Sequence, residues 1–531
     1  MREKTIHRAS TGFFMLTVAG ILILVNFVAA ELFARFDLTE SKMYSISEAS
    51  KNLMKNLPDK VHAKAYFTAN LPAPYNSHTS FVKDIFEEYA AYSNGGFGFE
   101  FIDPGDNEET RNQLMVLGIP PVQIQEIQND QFQVKQAWLG IVFYYADKKE
   151  VIPVVKTTSG FEYEVTSTIK KLTAERLKTV GFLQGHEEPN PREAMQRASE
   201  IIEKNYKIAL VDLKEQKASA LDEVDTLVIV NPKTKIEEED LYYIDQFLMK
   251  GKTIAFFADA IDVDVRSFRA VNVDNGLAEL LTHYGVTINQ DLIGDVQNKR
   301  INIASQQGMF RISNIINYPL IPVVTDFDKD SPLTQTVDAL SFPFLSSLKV
   351  TSNTEAVTYT VLARTTPRSW QQVGMFVVNP MENLAPKPDA QTGPFPVAAA
   401  AQGRFTSFFA NKLDQTAGDK PWLNPSSALT QSPETRILVV GDGSFGLDEY
   451  FDPPNVIFLA DAVDWLMQDN AMIGIRGRGM ENKPIGELEP WEKSVIKYMN
   501  MIGIPILFVI FGFARWSMRR ARKRGFQLAS K

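Results

Sequence analysis

The chain has 531 residues and no cysteine. That one absence excludes disulfides, thiolate nucleophiles, CxxC redox chemistry and cysteine-based metal sites. Histidine is nearly as scarce. The five, His7, His62, His78, His186 and His283, show no HxxxH or HxH spacing, so no preformed metal site is expected. There is also no basic stripe in the body. The termini carry +2 and +7 of a total charge of −9, which leaves the rest at −18. An acidic body of that kind argues against nucleic acid and against lying flat on anionic lipid. No GxSxG elbow is present. Gly251-Lys252-Thr253 looks like the end of a phosphate loop, but Gln246 stands where the first glycine belongs and the residues lead into a strand. No ATPase activity and no cofactor are therefore expected of this chain.

What is present begins with two long uncharged runs. Residues 9–30 (ASTGFFMLTVAGILILVNFVAA) follow Arg2, Lys4 and Arg8. Residues 498–514 (YMNMIGIPILFVIFGFA) precede Arg515, Arg519, Arg520, Arg522, Lys523 and Arg524. At about 1.5 Å per residue, the first crosses a roughly 30 Å hydrocarbon core outright. The second is short and relies on Trp516 and snorkelling arginines at its edge. The positive-inside rule then places both termini in the cytoplasm and the body outside an inner (cytoplasmic) membrane crossed twice. Val28-Ala29-Ala30 also supplies small residues at a signal-peptidase position. An uncleaved anchor and a cleaved leader are both open, and either leaves the body extracytoplasmic. Gly503, Pro505 and Gly512 give the second run a kinked, close-packing surface for a partner helix.

Between the runs the pattern divides. After a tail and first span over 1–36, residues 37–175 read as a small α/β unit. Ser45-Ile46-Ser47-Glu48 has capping-box spacing, and Ile46, Ala49, Leu53 and Leu57 then share a helix face. Val61 to Phe67 alternates as a strand, Phe81, Ile85, Tyr89 and Tyr92 form a second helical stripe, and Phe97 to Ile102 is a second strand. Two more strands, 132–145 and 150–155, meet across Asp147-Lys148-Lys149 as a hairpin. The order points to a thioredoxin-like unit lacking the redox cysteines. From 176 to 475 strands and helices alternate. TVGFL (179–183), KIALV (207–211), TLVIV (226–230) and TIAFF (253–257) are near-continuous apolar runs, as strands buried on both faces should be. Helices are expected over 192–205 and 236–249, with Glu237, Glu238, Glu239 and Asp240 complementing the second helix's dipole. This predicts a doubly wound parallel sheet, with a partly β insertion at about 298–432 before the strand RILVV (436–440) and a helix over 456–467. A linker (476–497), the second span (498–516) and a basic tail (517–531) complete the chain.

Candidate site residues follow from the sheet, since ligands in such folds bind beyond the carboxyl ends of strands. His186, Glu187, Asp259, Asp442 and Ser444 all stand just after strands. They form one candidate ligand or partner site, although polar residues at strand ends also cap turns and helices. The same groups allow an anchored hydrolase with a Ser/His/Asp arrangement, or a structural envelope linker. Gly441-Asp442-Gly443-Ser444-Phe445-Gly446 matches GxGxxG after a strand, but the acidic, proline-broken residues 447–454 follow where a phosphate-binding helix should start.

Several segments resemble the GldG-like auxiliary proteins of ABC transporters, named from gliding motility. They are 36–47 (FDLTESKMYSIS), 161–167 (FEYEVTS), 181–187 (GFLQGHE), 393–398 (GPFPVA), 439–445 (VVGDGSF) and 462–466 (AVDWL). The family's Gly-His-Gly-Glu lacks its second glycine here. The resemblance implies a GIFT-type α/β domain, distantly like glutamine amidotransferases, whose nucleophilic cysteine this chain does not have. It further implies a non-catalytic extracytoplasmic subunit beside a separate ABC-2-type permease and a cytoplasmic ATPase.

Overall fold

The computed structural model describes residues 45–73, 75–105, 107–128, 131–307, 310–351, 355–412, 420–423, 426–469 and 490–499, with short pieces at 17–18, 20–21, 472–473, 475–476, 501, 511–513 and 515–516. The chain forms two compact units, 1–479 and 480–531. Of the second, helix Pro490–Tyr498 is described. Among the described residues no helix is long and apolar enough to cross a membrane. The run 9–30 and most of 498–514, including Gly503 and Pro505, lie outside the described residues; Gly512 sits in a described helical turn.

The first part of the larger unit runs α1 (Glu48–Lys55), β1 (Val61–Phe67), α2 (Tyr75–Tyr92), β2 (Phe97–Ile102), α3 (Glu108–Val116), β3 (Val122–Gln128), β4 (Gln131–Ala137), β5 (Leu139–Tyr145), β6 (Lys148–Ile152) and α4 (Phe161–Thr173). The sheet order is β2-β1-β5-β6, with β1 and β2 parallel and the other pairs antiparallel. The N-cap of α1 is Ser47 rather than Ser45, because the Ser50 N–H donates to the Ser47 hydroxyl. The predicted strand 132–145 is broken at Trp138. Its first half folds back on β3 as a separate hairpin, and its second half enters the sheet. The β5–β6 turn falls at Ala146-Asp147, with Ala146 at φ 48°.

The second part builds one eight-stranded mixed sheet. Its strands are β7 (Thr179–Gln184), β8 (Lys207–Asp212), β9 (Thr226–Val230), β10 (Thr253–Phe257), β11 (Asp326–Phe327), β12 (Val357–Arg364), β13 (Pro396–Thr406) and β14 (Gln431–Val440). The order across the sheet is β11-β12-β13-β14-β10-β9-β7-β8. The five strands from β14 to β8 are parallel, and β13, β12 and β11 extend the sheet antiparallel. The helices are α5 (Pro191–Ala194), α6 (Gln196–Ile202), α7 (Glu238–Met249) and α8 (Pro453–Leu466). The helix expected over 192–205 is thus split at Met195.

The apolar runs are continuous because each strand feeds two cores. Val228, Val230, Ala255, Phe257, Leu438 and Val440 join the core under α6 and α8. Their neighbours Leu227, Ile229, Ile254, Phe256, Ile437 and Val439 join the one under α7. The segment 298–432 is therefore more than an insertion, since three of its strands close the edge that β14 would otherwise expose. Ala398 and Ala400 face one core while Ala399 and Ala401 face the other. An alanine run has low strand propensity, and only the flanking strands make it β.

The two parts meet at a buried cation. Arg476, 2 % exposed, contacts Asp461 through Nη1 and Asp464 through Nη2 (2.6 Å), both on α8. Its Nη2 also donates to the Tyr163 hydroxyl of α4 at 3.2 Å, and the guanidinium lies 4.8 Å from that ring's centroid. Replacing Arg476 by Met should leave two buried carboxylates without their counter-charge and cost about 3–5 kcal/mol. Asp461→Asn and Asp464→Asn added to Arg476→Met should recover part of the loss. Denaturant unfolding of the three proteins measures this, and an unaltered midpoint in the single variant would contradict it.

Candidate functional site

The switch point of the parallel sheet lies between β7 and β9, because β8 was added on one side of β7 and β9 on the other. In many such sheets a ligand enters there. Here the chain fills the crevice itself. Gly185 turns the backbone at φ 109° and His186 drops inward, fully buried. The Lys233 and Thr234 N–H groups, in the loop after β9, donate to the His186 carbonyl at 3.0 and 3.2 Å.

The ring of His186 lies between two acids. Its Nδ1 is 3.3 Å from Glu188 Oε1, and Glu188 Oε2 accepts the His186 backbone N–H at 2.6 Å. Its Nε2 is 3.2 Å from Asp240 Oδ2. That approach lies off the N–H direction, so Nε2 has an ion-pair neighbour without a well-aligned hydrogen bond. Burial works against the charge, but Asp240 and then Glu188 outweigh it, and the imidazole is pushed up to about 9. Asp240 thus does more than complement the dipole of α7. The predicted Glu187 sits at φ 65° and is exposed; Glu188 is the residue that turns in.

The other three predicted residues do come together. Asp259 follows β10, and Asp442 and Ser444 follow β14. The Gly443 N–H donates to Asp259 Oδ1 at 2.6 Å, and the Ser444 N–H donates to Asp442 Oδ1 at 2.8 Å. Lys233 Nζ lies 3.4 Å from Asp259 Oδ2 and also contacts Asp262. Burial pushes both carboxyls up. For Asp259, Lys233 opposes it, whereas for Asp442 the neighbouring Asp259 adds to it, so Asp442 is raised well above the usual carboxylate range. Asn231, missed in the sequence, stands after β9 at φ 48° with its side chain against Gly443.

The glycines of 441–446 serve close packing. A Cβ on Gly441 would lie 2.2 Å from the Ser346 carbonyl oxygen, and one on Gly443 would lie 2.7 Å from the Asn231 side chain. The next α-helix in the chain starts only at Pro453, so the glycines do not lead into a helix N-terminus as a dinucleotide fingerprint would. His186 turns its ring nitrogens to Glu188 and Asp240, so the side chains do not assemble as a Ser/His/Asp relay.

The charged imidazole makes stability depend on pH. With the folded value about 9 above an unfolded value of about 6.5, its contribution is full below about pH 6.5 and lost as pH rises through about 9. The gap in unfolding temperature between the native chain and His186→Gln should therefore narrow across that window. A constant gap would show that the ring is neutral throughout.

Comparison with known proteins fits the division into two parts. A domain of unknown function (DUF7088) matches residues 40–144. An uncharacterized protein of Borreliella burgdorferi is 24 % identical over 502 residues, covering 92 % of this chain and 93 % of its own length. Among solved structures, the mmIFT52 N-terminal domain aligns with a TM-score of 0.34 and 16 % identity, covering 54 % of this chain and 97 % of that one. The family described as an ABC-type uncharacterized transport system matches residues 177–468, the whole eight-stranded sheet with its covering helices, and the chain belongs to that family.

Proposed function

We propose that this chain is the membrane-anchored, extracytoplasmic accessory subunit of an ABC-2-type transporter, working beside a separate permease and a cytoplasmic ATPase. The observation that carries this reading is the family match across the eight-stranded sheet. The uncharged runs at 9–30 and 498–514, with basic residues on their terminal sides, supply the anchors and put the acidic body outside. The strand order β2-β1-β5-β6 suits a thioredoxin-like unit, and the parallel strands β7 to β10 with β14 suit a GIFT-type domain of a GldG-like protein. Motility is one setting for such a subunit, and envelope export is another.

A role in binding or guiding, without chemistry of its own, fits the strand ends. His186 lies between Glu188 and Asp240, and Asp259 is held by Gly443 and Lys233. An anchored hydrolase would need its base free to take a proton from a nucleophile, and His186 is engaged on both sides. The body can couple cargo to ATP turnover only through unequal affinity for two transporter states.

Purifying the tagged full-length chain in mild detergent should bring an ABC ATPase and a polytopic permease with it in stoichiometric amounts. Recovery of the intact chain alone would overturn the reading in favour of an enzyme or an envelope linker. Replacing Gly503 and Gly512 by leucine should lower recovery of the permease, because bulk at those positions keeps helix backbones apart; unchanged recovery would remove them from the contact.

A further inference from the structure

We propose that the carboxyl ends of β9, β10 and β14 bind a hard divalent cation, Ca2+ or Mg2+, on oxygens of Asp442, Asn231, Asp259 and Ser444. The site stands independently of which transporter the chain serves. It departs from the sequence reading, which expected no metal.

Two acceptors point to it. Asp442 is fully buried, and although the Ser444 N–H reaches its Oδ1 and the Phe445 amide lies nearby, its Oδ2 has no hydrogen-bond partner among the described residues. Asn231 is 4 % exposed, and its Oδ1 is also without a partner among them. Buried acceptors left bare are costly and rare in a folded protein. These two border the same residue. Asp442 precedes Gly443, and a Cβ on Gly443 would lie 2.8 Å from Asn231 Oδ1. The Gly443 N–H in turn holds Asp259, and Ser444 is next in the chain. A cation seated beside Gly443 would serve both oxygens.

The charge count agrees. Asp259, Asp262 and Asp442 are grouped around one cation, Lys233, which contacts Asp259 and Asp262. Asp262 is 41 % exposed and keeps water as a partner, so the buried excess is the one negative charge of Asp442 beyond the Asp259–Lys233 pair, which either a bound cation or a proton on Asp442 offsets. All the donors are oxygens, from carboxylate, carboxamide and hydroxyl groups, which selects Ca2+ or Mg2+ over softer metals. Among the described residues no three His, Asp or Glu side chains form a metal-holding group by themselves. On this proposal the Asn231 carboxamide and the Ser444 hydroxyl would complete the set around the two carboxylates. The location, beyond the ends of parallel strands, is where open α/β sheets place their ligands.

The test uses the full-length chain in detergent, stripped with EDTA and titrated with CaCl2 and, separately, MgCl2. Calorimetry should record saturable binding of one ion, and the unfolding temperature should climb with cation concentration. Asp442→Asn, which keeps the size and removes the charge, should weaken binding by at least about tenfold, since ligand charge count sets affinity at such sites. Asn231→Ala should weaken it less, and its fold is checked by circular dichroism. Absence of both heat and stabilisation up to about 10 mM, beyond the weakest sites of this class, overturns the proposal. A response of Asp442→Asn equal to that of the native chain also overturns it, by tracing the ion to surface carboxylates. So does an Asp442→Asn chain more stable than the native one with no cation response in either, because the occupant is then the proton.

Discussion

The guanidinium of Arg476 is where the larger unit is tied together. Arginine cannot shed its proton to escape burial, so its charge must be met in place. Asp461 and Asp464 meet it from α8, and Tyr163 meets it from α4 with both a hydroxyl and a ring face. The neighbours are fixed in consequence. The Tyr206 hydroxyl donates to Asp464 at 2.7 Å, and the Asn205 amide donates to Tyr163 at 3.2 Å. Met472 and Ile475, on the stretch leading to Arg476, pack with Tyr163 and Ala49. Removing the charge would loosen a helix of each part and the chain between α8 and the second unit.

The same helix α4 seats the other end of the body. The Ser47 N–H and the Ser50 hydroxyl both donate to Glu162 at 2.6 Å, and the Ser50 hydroxyl lies 2.8 Å from that of Thr166. Ser47 and Ser50 near the start of the described body and Arg476 near its end are therefore held by consecutive side chains of α4, Glu162 and Tyr163. The eight-stranded sheet, covered on both faces, is the stiff body to which that element is fastened. Its switch point is closed by its own loops, with the Lys233 and Thr234 N–H groups bonded to the His186 carbonyl.

Much of this architecture was legible in advance. The apolar runs at 179–183, 226–230 and 253–257 are parallel strands inside the sheet, because a strand buried on both faces has no polar side to show, whereas 207–211 forms the parallel edge strand β8 and leaves Leu210 exposed. The hairpin near Asp147 was marked by its turn residues, and the strand-end position of Asp259, Asp442 and Ser444 brought them together. Less was legible of the side chains. The choice between Glu187 and Glu188 turns on one left-handed residue, and adjacent glutamates carry no mark of which will be buried. Asp240 looked like an ordinary first-turn acid, and its partner His186 lies 54 positions earlier.

By itself, then, the sequence determined the class of the protein. Its lack of cysteine removed whole chemistries, its uncharged ends set an expected topology, and its periodicities specified the local elements. These are properties of composition and of neighbours a few residues apart. The tertiary structure alone decided that Ala398 to Ala401 become a central strand, that Arg476 is buried, and that Asn231 meets Gly443. Each of those outcomes depends on partners far away in the chain. A weak strand former becomes β only when both neighbours offer hydrogen bonds, and a charge is buried only where counter-charges already wait.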